Sequence, residues 1–277
     1  MKENDIFEFT GKQSGKTSVV LVGVHGDEPC GVEALQSILP SISILSGKVT
    51  FIIANPPALK ENKRFLKANL NRMFLDPDNI SKADKESYEY KRAQFIKTYL
   101  DKADSLLDIH ASFTPESRPF VICEKNASAI VPFLPVDLVV SGFDNVEPGG
   151  TDYYMNSIGK IGICLECGYL GDPVATNIAR LGILSYLQSQ GHIDNVTIEQ
   201  RNQNFIRMTS LYKTKTSSFQ LAKQFTDFEH IATESLIGTD GDNEVRAIKD
   251  SIILFARNPE GIDEEAFLLG EKTNSLT

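Results

Sequence analysis

Four short apolar runs constrain this chain more than any other feature, because each stops abruptly at a polar residue or a turn. Val19 to Val24 stops at His25-Gly26-Asp27-Glu28, and Val49 to Ala54 stops at Asn55-Pro56-Pro57. Ser105 to Ile109 stops at His110, and Ile161 to Leu165 stops at Glu166. Uninterrupted aliphatic runs of this length read as strands buried on both faces. Helical spacing fills the gaps between them. Pro29 to Leu39 repeats Val32, Leu35 and Leu39, and Asp172 to Gln190 repeats Ile178, Leu181, Ile183, Leu184 and Leu187 before Gly191. A charged helix is expected over 81–103, with Tyr88, Phe95, Ile96, Tyr99 and Leu100 turned inward. Further strands are expected at Phe120 to Cys123 and Val136 to Ser141, and an edge strand within the polar lead-in 1–18. Strand and helix alternating in this way predict an α/β fold with a mixed, mostly parallel sheet flanked by helices.

Beyond about residue 195 the texture changes to short strand-like pieces between Gly, Asn and Asp turns, such as the cluster Gly238 to Asn243. The expected organisation is a catalytic domain over 1–195 and a small β-rich C-terminal domain over 196–277. No run approaches the ~18 apolar residues of a membrane span. Met1-Lys2-Glu3-Asn4-Asp5 lacks the apolar core of a signal peptide, so the expectation is a cytoplasmic protein. A net charge of −9 opposes a nucleic-acid or anionic-membrane surface. Cys164 and Cys167 have CxxC spacing but no second pair to complete a structural metal site, so the four cysteines read as buried thiols.

The chemistry lies where the strands stop. His25 and Glu28 are three residues apart across Gly26, which permits a tight turn, and His110 closes another strand. In a parallel sheet, neighbouring strands deliver their C-terminal ends to one rim. Two histidines and a glutamate gathered there are the ligand set of a catalytic zinc, with a fourth position left for a water that ionises near neutral pH. One Zn2+ per chain is therefore expected on His25, Glu28 and His110. Asp108 shares a strand face with His110 and is placed to hold its imidazole. A lone carboxylate on an apolar strand is costly unless it titrates, which makes Glu166 the candidate general base. Arg64 and Arg72 lie in the loop after the second run. One such arginine could stabilise an oxyanion, and another, helped by Asn71, could clamp a substrate carboxylate. His192 and His230 are expected at the surface.

Taken together, Gly23-Val24-His25-Gly26-Asp27-Glu28, the block from Asn55-Pro56-Pro57-Ala58 through Arg64 to Asn69-Leu70-Asn71-Arg72-Met73-Phe74, Leu107-Asp108-Ile109-His110 and Leu165-Glu166-Cys167-Gly168 resemble the succinylglutamate desuccinylase/aspartoacylase family, itself similar to the zinc carboxypeptidases. The resemblance implies zinc on His25, Glu28 and His110, and Glu166 as base. It implies Arg64 on the scissile carbonyl oxygen, and Asn71 and Arg72 on the substrate carboxylate. It also implies a β-rich C-terminal domain over the active-site mouth. Two departures stand out. Asn69 replaces the family's Asp, and Met155-Asn156-Ser157 stands where aspartoacylases carry an arginine for a second substrate carboxylate, which weighs against N-acetylaspartate. The expected function is hydrolysis of a small, anionic N-acyl amino acid. The alternatives are a metallocarboxypeptidase acting on short peptides and a non-catalytic binding module, and homo-oligomerisation is open.

Overall fold

The computed structural model describes residues 5–194 and 199–276. Its strands are β1 (Ile6–Thr10), β2 (Gln13–Val22), β3 (Ser46–Ile53), β4 (Ser105–Ser112), β5 (Phe120–Cys123), β6 (Leu138–Ser141), β7 (Ile161–Tyr169), β8 (Asn204–Lys213), β9 (Phe219–Leu221), β10 (His230–Ile231), β11 (Leu236–Asp240), β12 (Asn243–Arg246), β13 (Ser251–Leu254) and β14 (Glu265–Thr273). Its helices are α1 (Cys30–Ile38), α2 (Pro56–Glu61), α3 (Lys82–Lys85), α4 (Tyr88–Leu100), α5 (Phe143–Val146), α6 (Thr151–Ser157) and α7 (Val174–Ser189).

Eleven strands make one mixed sheet in the order β1-β3-β2-β4-β7-β5-β6-β8-β14-β13-β10. The stretch β3-β2-β4-β7 is parallel throughout, as buried aliphatic strands joined by helices should be. β1 closes one edge antiparallel to β3, as the polar lead-in suggested. Helices cover both faces. On one, Ala34, Leu35 and Ile38 of α1 and Ala179, Ile183 and Tyr186 of α7 pack on Val20, Val22, Leu107 and Ile109. On the other, Ala93, Ile96 and Leu100 of α4 and Met155 of α6 pack with Val19, Leu21 and Leu106. The two faces take alternate residues of the same strands, the period-two consequence of the pleat.

The C-terminal residues are β-rich. β8 lies parallel to β6, and β14, β13 and β10 extend the same sheet antiparallel, while β12-β11-β9 form a separate three-stranded sheet. The domain boundary expected at 195/196 lies outside the described residues, as do residues 1–4.

Several local expectations are corrected. β4 and β7 continue past His110 and Glu166, to Ser112 and Tyr169, so these residues sit within strands rather than at their ends. The expected helix over 81–103 is two helices, because Ser87 caps a new start by accepting from the Tyr90 amide. Gly150 is the N-cap of α6, and the Thr151 hydroxyl at its first turn donates to Asp108. β8 was not anticipated: Asn204 to Lys213 alternates too loosely to read as a strand, and pairing with β6 and β14 decides it. His192 is fully buried rather than at the surface, with Ser18 Oγ 2.8 Å from Nε2 and the Ser46 carbonyl 2.9 Å from Nδ1.

Candidate functional site

Gly23, at φ +66°, turns the chain out of β2 into the loop that carries His25 and Glu28. Gly26 must lie against α2, where a Cβ would come within 2.1 Å of the Ala58 carbonyl carbon. The Glu28 amide donates to the His25 carbonyl at 3.4 Å, which closes the turn and brings both side chains to one side. β4 runs beside β2 in parallel register, Val22 opposite Ile109, and so places His110 next to that turn. In the next pairing His110 stands directly opposite Glu166 of β7.

The donor atoms of His25, Glu28 and His110 lie within 4.8 Å of one another, and all three residues are buried. His25 Nδ1 is 2.8 Å from Glu28 Oε1, and His110 Nδ1 is 3.0 Å from Glu28 Oε2. Both imidazoles thus present Nδ1 to one point. Their outer nitrogens face the positions that would fix the tautomer: His25 Nε2 is 3.0 Å from Asn69 Oδ1, and His110 Nε2 is 3.1 Å from Asp108 Oδ2. Asp108 is itself held by the Thr151 hydroxyl at 2.6 Å. Two imidazole nitrogens, a carboxylate and oriented outer shells suit a divalent zinc-type cation.

The two imidazoles differ electrostatically. Burial lowers the His25 pKa to about 4, despite Glu28, so its nitrogen is an available lone pair. Burial would lower His110 too, but Asp108 and Glu28 outweigh it and raise the pKa well above the ordinary value. Burial alone would raise Glu28, but the two imidazoles hold it well below the usual carboxylate range. Glu166 is pushed up to about 8, chiefly by burial and further by the Glu28 charge, with His110 pulling the other way. Its Oε2 has no hydrogen-bond partner among the described residues.

An open pocket contains this group, and Arg64, Asn71 and Arg72 line it as well. The structure therefore gathers His25, Glu28, Arg64, Asn71, Arg72, His110 and Glu166 around one pocket. Arg64 lies on the donor group, its Nη1 donating to Glu28 Oε1 at 2.9 Å. Arg72 is more constrained. Its Nε and Nη2 donate to Glu265 at 2.9 and 3.2 Å, Nη2 also pairs with Glu147, and Nη1 donates to the Asn71 carbonyl at 2.7 Å.

Several wall residues escaped the sequence. Asp144, Glu147 and Asp152 come from α5, α6 and the turn between them, and Phe255, Arg257, Glu265 and Phe267 from the C-terminal strands and loops. Asp152 carried a weak signal, following Gly149-Gly150 at a helix start. Glu265 carried none, since its partner Arg72 is 193 residues away. Asp227 ties the same C-terminal region to β4 by accepting from the Ser112 hydroxyl at 2.8 Å.

A buried carboxylate beside a His–Glu–His donor group, near the C-terminal ends of parallel strands in a mixed α/β sheet, defines a candidate metal-assisted site. The chain belongs to the succinylglutamate desuccinylase/aspartoacylase family, whose catalytic-domain model matches residues 14–188. A succinylglutamate desuccinylase from Pseudoalteromonas atlantica is 29% identical over 151 residues, covering 47% of this chain and 43% of that enzyme. An N-acyl-aromatic-L-amino acid amidohydrolase (carboxylate-forming) from Xenopus tropicalis is 27% identical over 198 residues, 64% of this chain and 61% of the relative. Both matches span less than two thirds of the relative's own length. The crystal structure of succinylglutamate desuccinylase from Vibrio cholerae superposes with a TM-score of 0.81 at 20% identity, covering 98% of this chain and 86% of the other, which establishes the fold.

Proposed function

We propose that this chain is a zinc-dependent deacylase that hydrolyses the amide bond of a small N-acyl amino acid. The observation that carries the reading is the convergence of His25, Glu28 and His110 within 4.8 Å, beside a buried Glu166 with an unpartnered oxygen. A zinc ion on those three residues would supply Lewis acidity, making a water nucleophilic near neutral pH and polarising a carbonyl. Glu166 takes the proton of the attacking water and returns it to the leaving amine, work for which a carboxylate held at about 8 by burial is matched to its task. Arg64, with its guanidinium already at the donor group, stabilises the oxyanion that develops on the carbonyl oxygen. Asn71 holds the substrate carboxylate, and Arg72 joins it only by exchanging Glu147 or Glu265 for the substrate. Cover from Phe255, Phe267 and Glu265 on the C-terminal segment favours a small substrate over a peptide strand.

Metal analysis of the purified protein, paired with rates on N-acetyl, N-succinyl and N-formyl amino acids beside dipeptides, tests the proposal. The expected result is zinc at one per chain and turnover of an acyl amino acid that Glu166→Gln abolishes. A metal-free protein, or a Glu166→Gln variant as active as the parent, would sink it. Turnover of dipeptides alone would move the reading to a carboxypeptidase.

A further inference from the structure

The charge inventory of the pocket is lopsided. Apart from Glu28 and Glu166, which serve the proposed zinc and its water, four carboxylates face it (Asp144, Glu147, Asp152 and Glu265), against three guanidiniums, Arg64, Arg72 and Arg257. All three guanidiniums are engaged. Arg64 is on Glu28, Arg72 is shared between Glu147 and Glu265, and Arg257 Nη2 reaches Glu265 Oε2 at 3.4 Å. Asp144 and Asp152 have no ion-pair partner among the described residues.

Asp152 is the more exacting of the two. Burial, with Asp144 next in weight, pushes its carboxyl up to about 6. The Tyr153 amide stabilises it, while Asp108 adds further repulsion. Its Oδ1 lies over Gly150, where a Cβ would sit 2.5 Å from it and 3.3 Å from Asn71 Oδ1. The carboxylate therefore lies against Gly150, close to Asn71. Glu166, 7% exposed and with its Oε2 unpartnered, opens into the same cavity. The segment 155–157 supplies no cation to offset these charges. There, Asn156 Oδ1 accepts from Asn126 Nδ2 at 2.8 Å and from the Gly162 amide at 3.2 Å, a structural task.

A pocket whose arginines are already paired, and whose Asp144 and Asp152 lack an ion-pair partner among the described residues, rejects a second substrate carboxylate and attracts a cation. Resting on the deacylase reading, we infer that the amino acid released by this enzyme carries a cationic side chain, an ammonium or guanidinium, which Asp152 and Asp144 receive. Asp152 thereby sets specificity through charge, while the donor group and Glu166 act on the amide.

The test compares zinc-loaded enzyme on Nα-acetylornithine, Nα-acetylglutamine and Nα-acetylglutamate, which have similar reach and carry a cationic, a neutral and an anionic side chain. The expected kcat/KM for the ornithine derivative exceeds that for the glutamine derivative by roughly tenfold or more, with the glutamate derivative lowest. Asp152→Asn collapses the ornithine-to-glutamine ratio, and Asp144→Asn, a second variant should the first fail to fold, reduces it. A glutamate derivative that is hydrolysed as well as the ornithine one overturns the inference, as does an unchanged ratio in both variants. Calorimetry with free ornithine and free glutamine separates this inference from the deacylase reading. If no acyl substrate turns over, but ornithine binds more tightly and loses that advantage in Asp152→Asn, the charge assignment stands and the deacylase reading falls. Equal binding of the two amino acids overturns the charge assignment by itself.

Discussion

The two ends of the pocket are built differently. The donor end is written by strand register: β2, β4 and β7 lie in parallel, and pairing alone brings the His25–Glu28 turn, His110 and Glu166 together. The far end is assembled from segments distant in sequence, with Arg72, Glu147, Asp152, Arg257 and Glu265 drawn from loops, α6 and β14. At the donor end, charges of opposite sign converge on one point, and each outer imidazole nitrogen faces an oxygen. At the far end, carboxylates outnumber their partners. The contrast teaches that a rigid sheet fixes the donor group, whereas loops set the charge balance around it.

That division can be broken at several points. The largest effect belongs to the donor end, where Glu166→Gln should lower kcat by about 10²–10⁴-fold while leaving metal content intact, as rates and metal analysis would show. At the far end the comparable loss is structural. Arg72→Met leaves Glu147 without its cation and Glu265 with Arg257 alone, and should cost about 3 kcal/mol in denaturant unfolding. If it instead changed KM alone, the arginine would serve substrate rather than structure. Next, Asp108→Asn weakens the hold on His110 Nε2 and should reduce zinc affinity by about 10–100-fold, read by competition with a chelator. The fourth is a pH effect. Burial alone would raise the Glu265 carboxyl, but Arg72 and its hydrogen bonds take it from 4.5 down to about 2. A depressed carboxylate stabilises the fold fully above its unfolded pKa, so this contribution is complete above about 4.5 and drains away as pH falls toward 2. Urea midpoints across that window should fall less steeply in Glu265→Gln. The smallest effect lies outside both ends. Arg201 and Asp137 meet at 3.2 Å while 48% and 72% exposed, and Arg201→Ala should change stability by less than about 0.5 kcal/mol.

Legibility in the sequence follows the same divide. The central strands could be read because aliphatic runs this short and this continuous suit a strand covered on both faces better than any helix or loop, and His25, Glu28, His110 and Glu166 stand out against them. Strand ends were misplaced at His110 and Glu166, since a polar residue inside a buried strand looks like a stop until its partner across the sheet is known. His192 looked like a surface residue because its satisfying partners, Ser18 and the Ser46 carbonyl, are more than a hundred residues away. Glu265 was invisible for the same reason: a single acid gains meaning only from the arginine it meets. Local pattern therefore reports chemistry placed by neighbouring strands, and fails where tertiary closure chooses the partner.

One consequence of the strand order concerns timing. β14 is inserted between β8 and β13, and carries Glu265 and Phe267 of the pocket wall. A ribosome that has delivered Glu166 must still add about a hundred residues before that wall exists, a lag of about 5–20 s at ordinary elongation rates. During this interval the donor group, Arg72, Glu147 and Asp152 are present in the nascent chain, but Arg257 and Glu265 are not. On the zinc reading proposed above, metal capture can thus precede completion of the pocket wall, and pulse-labelled chains should retain zinc before they acquire activity.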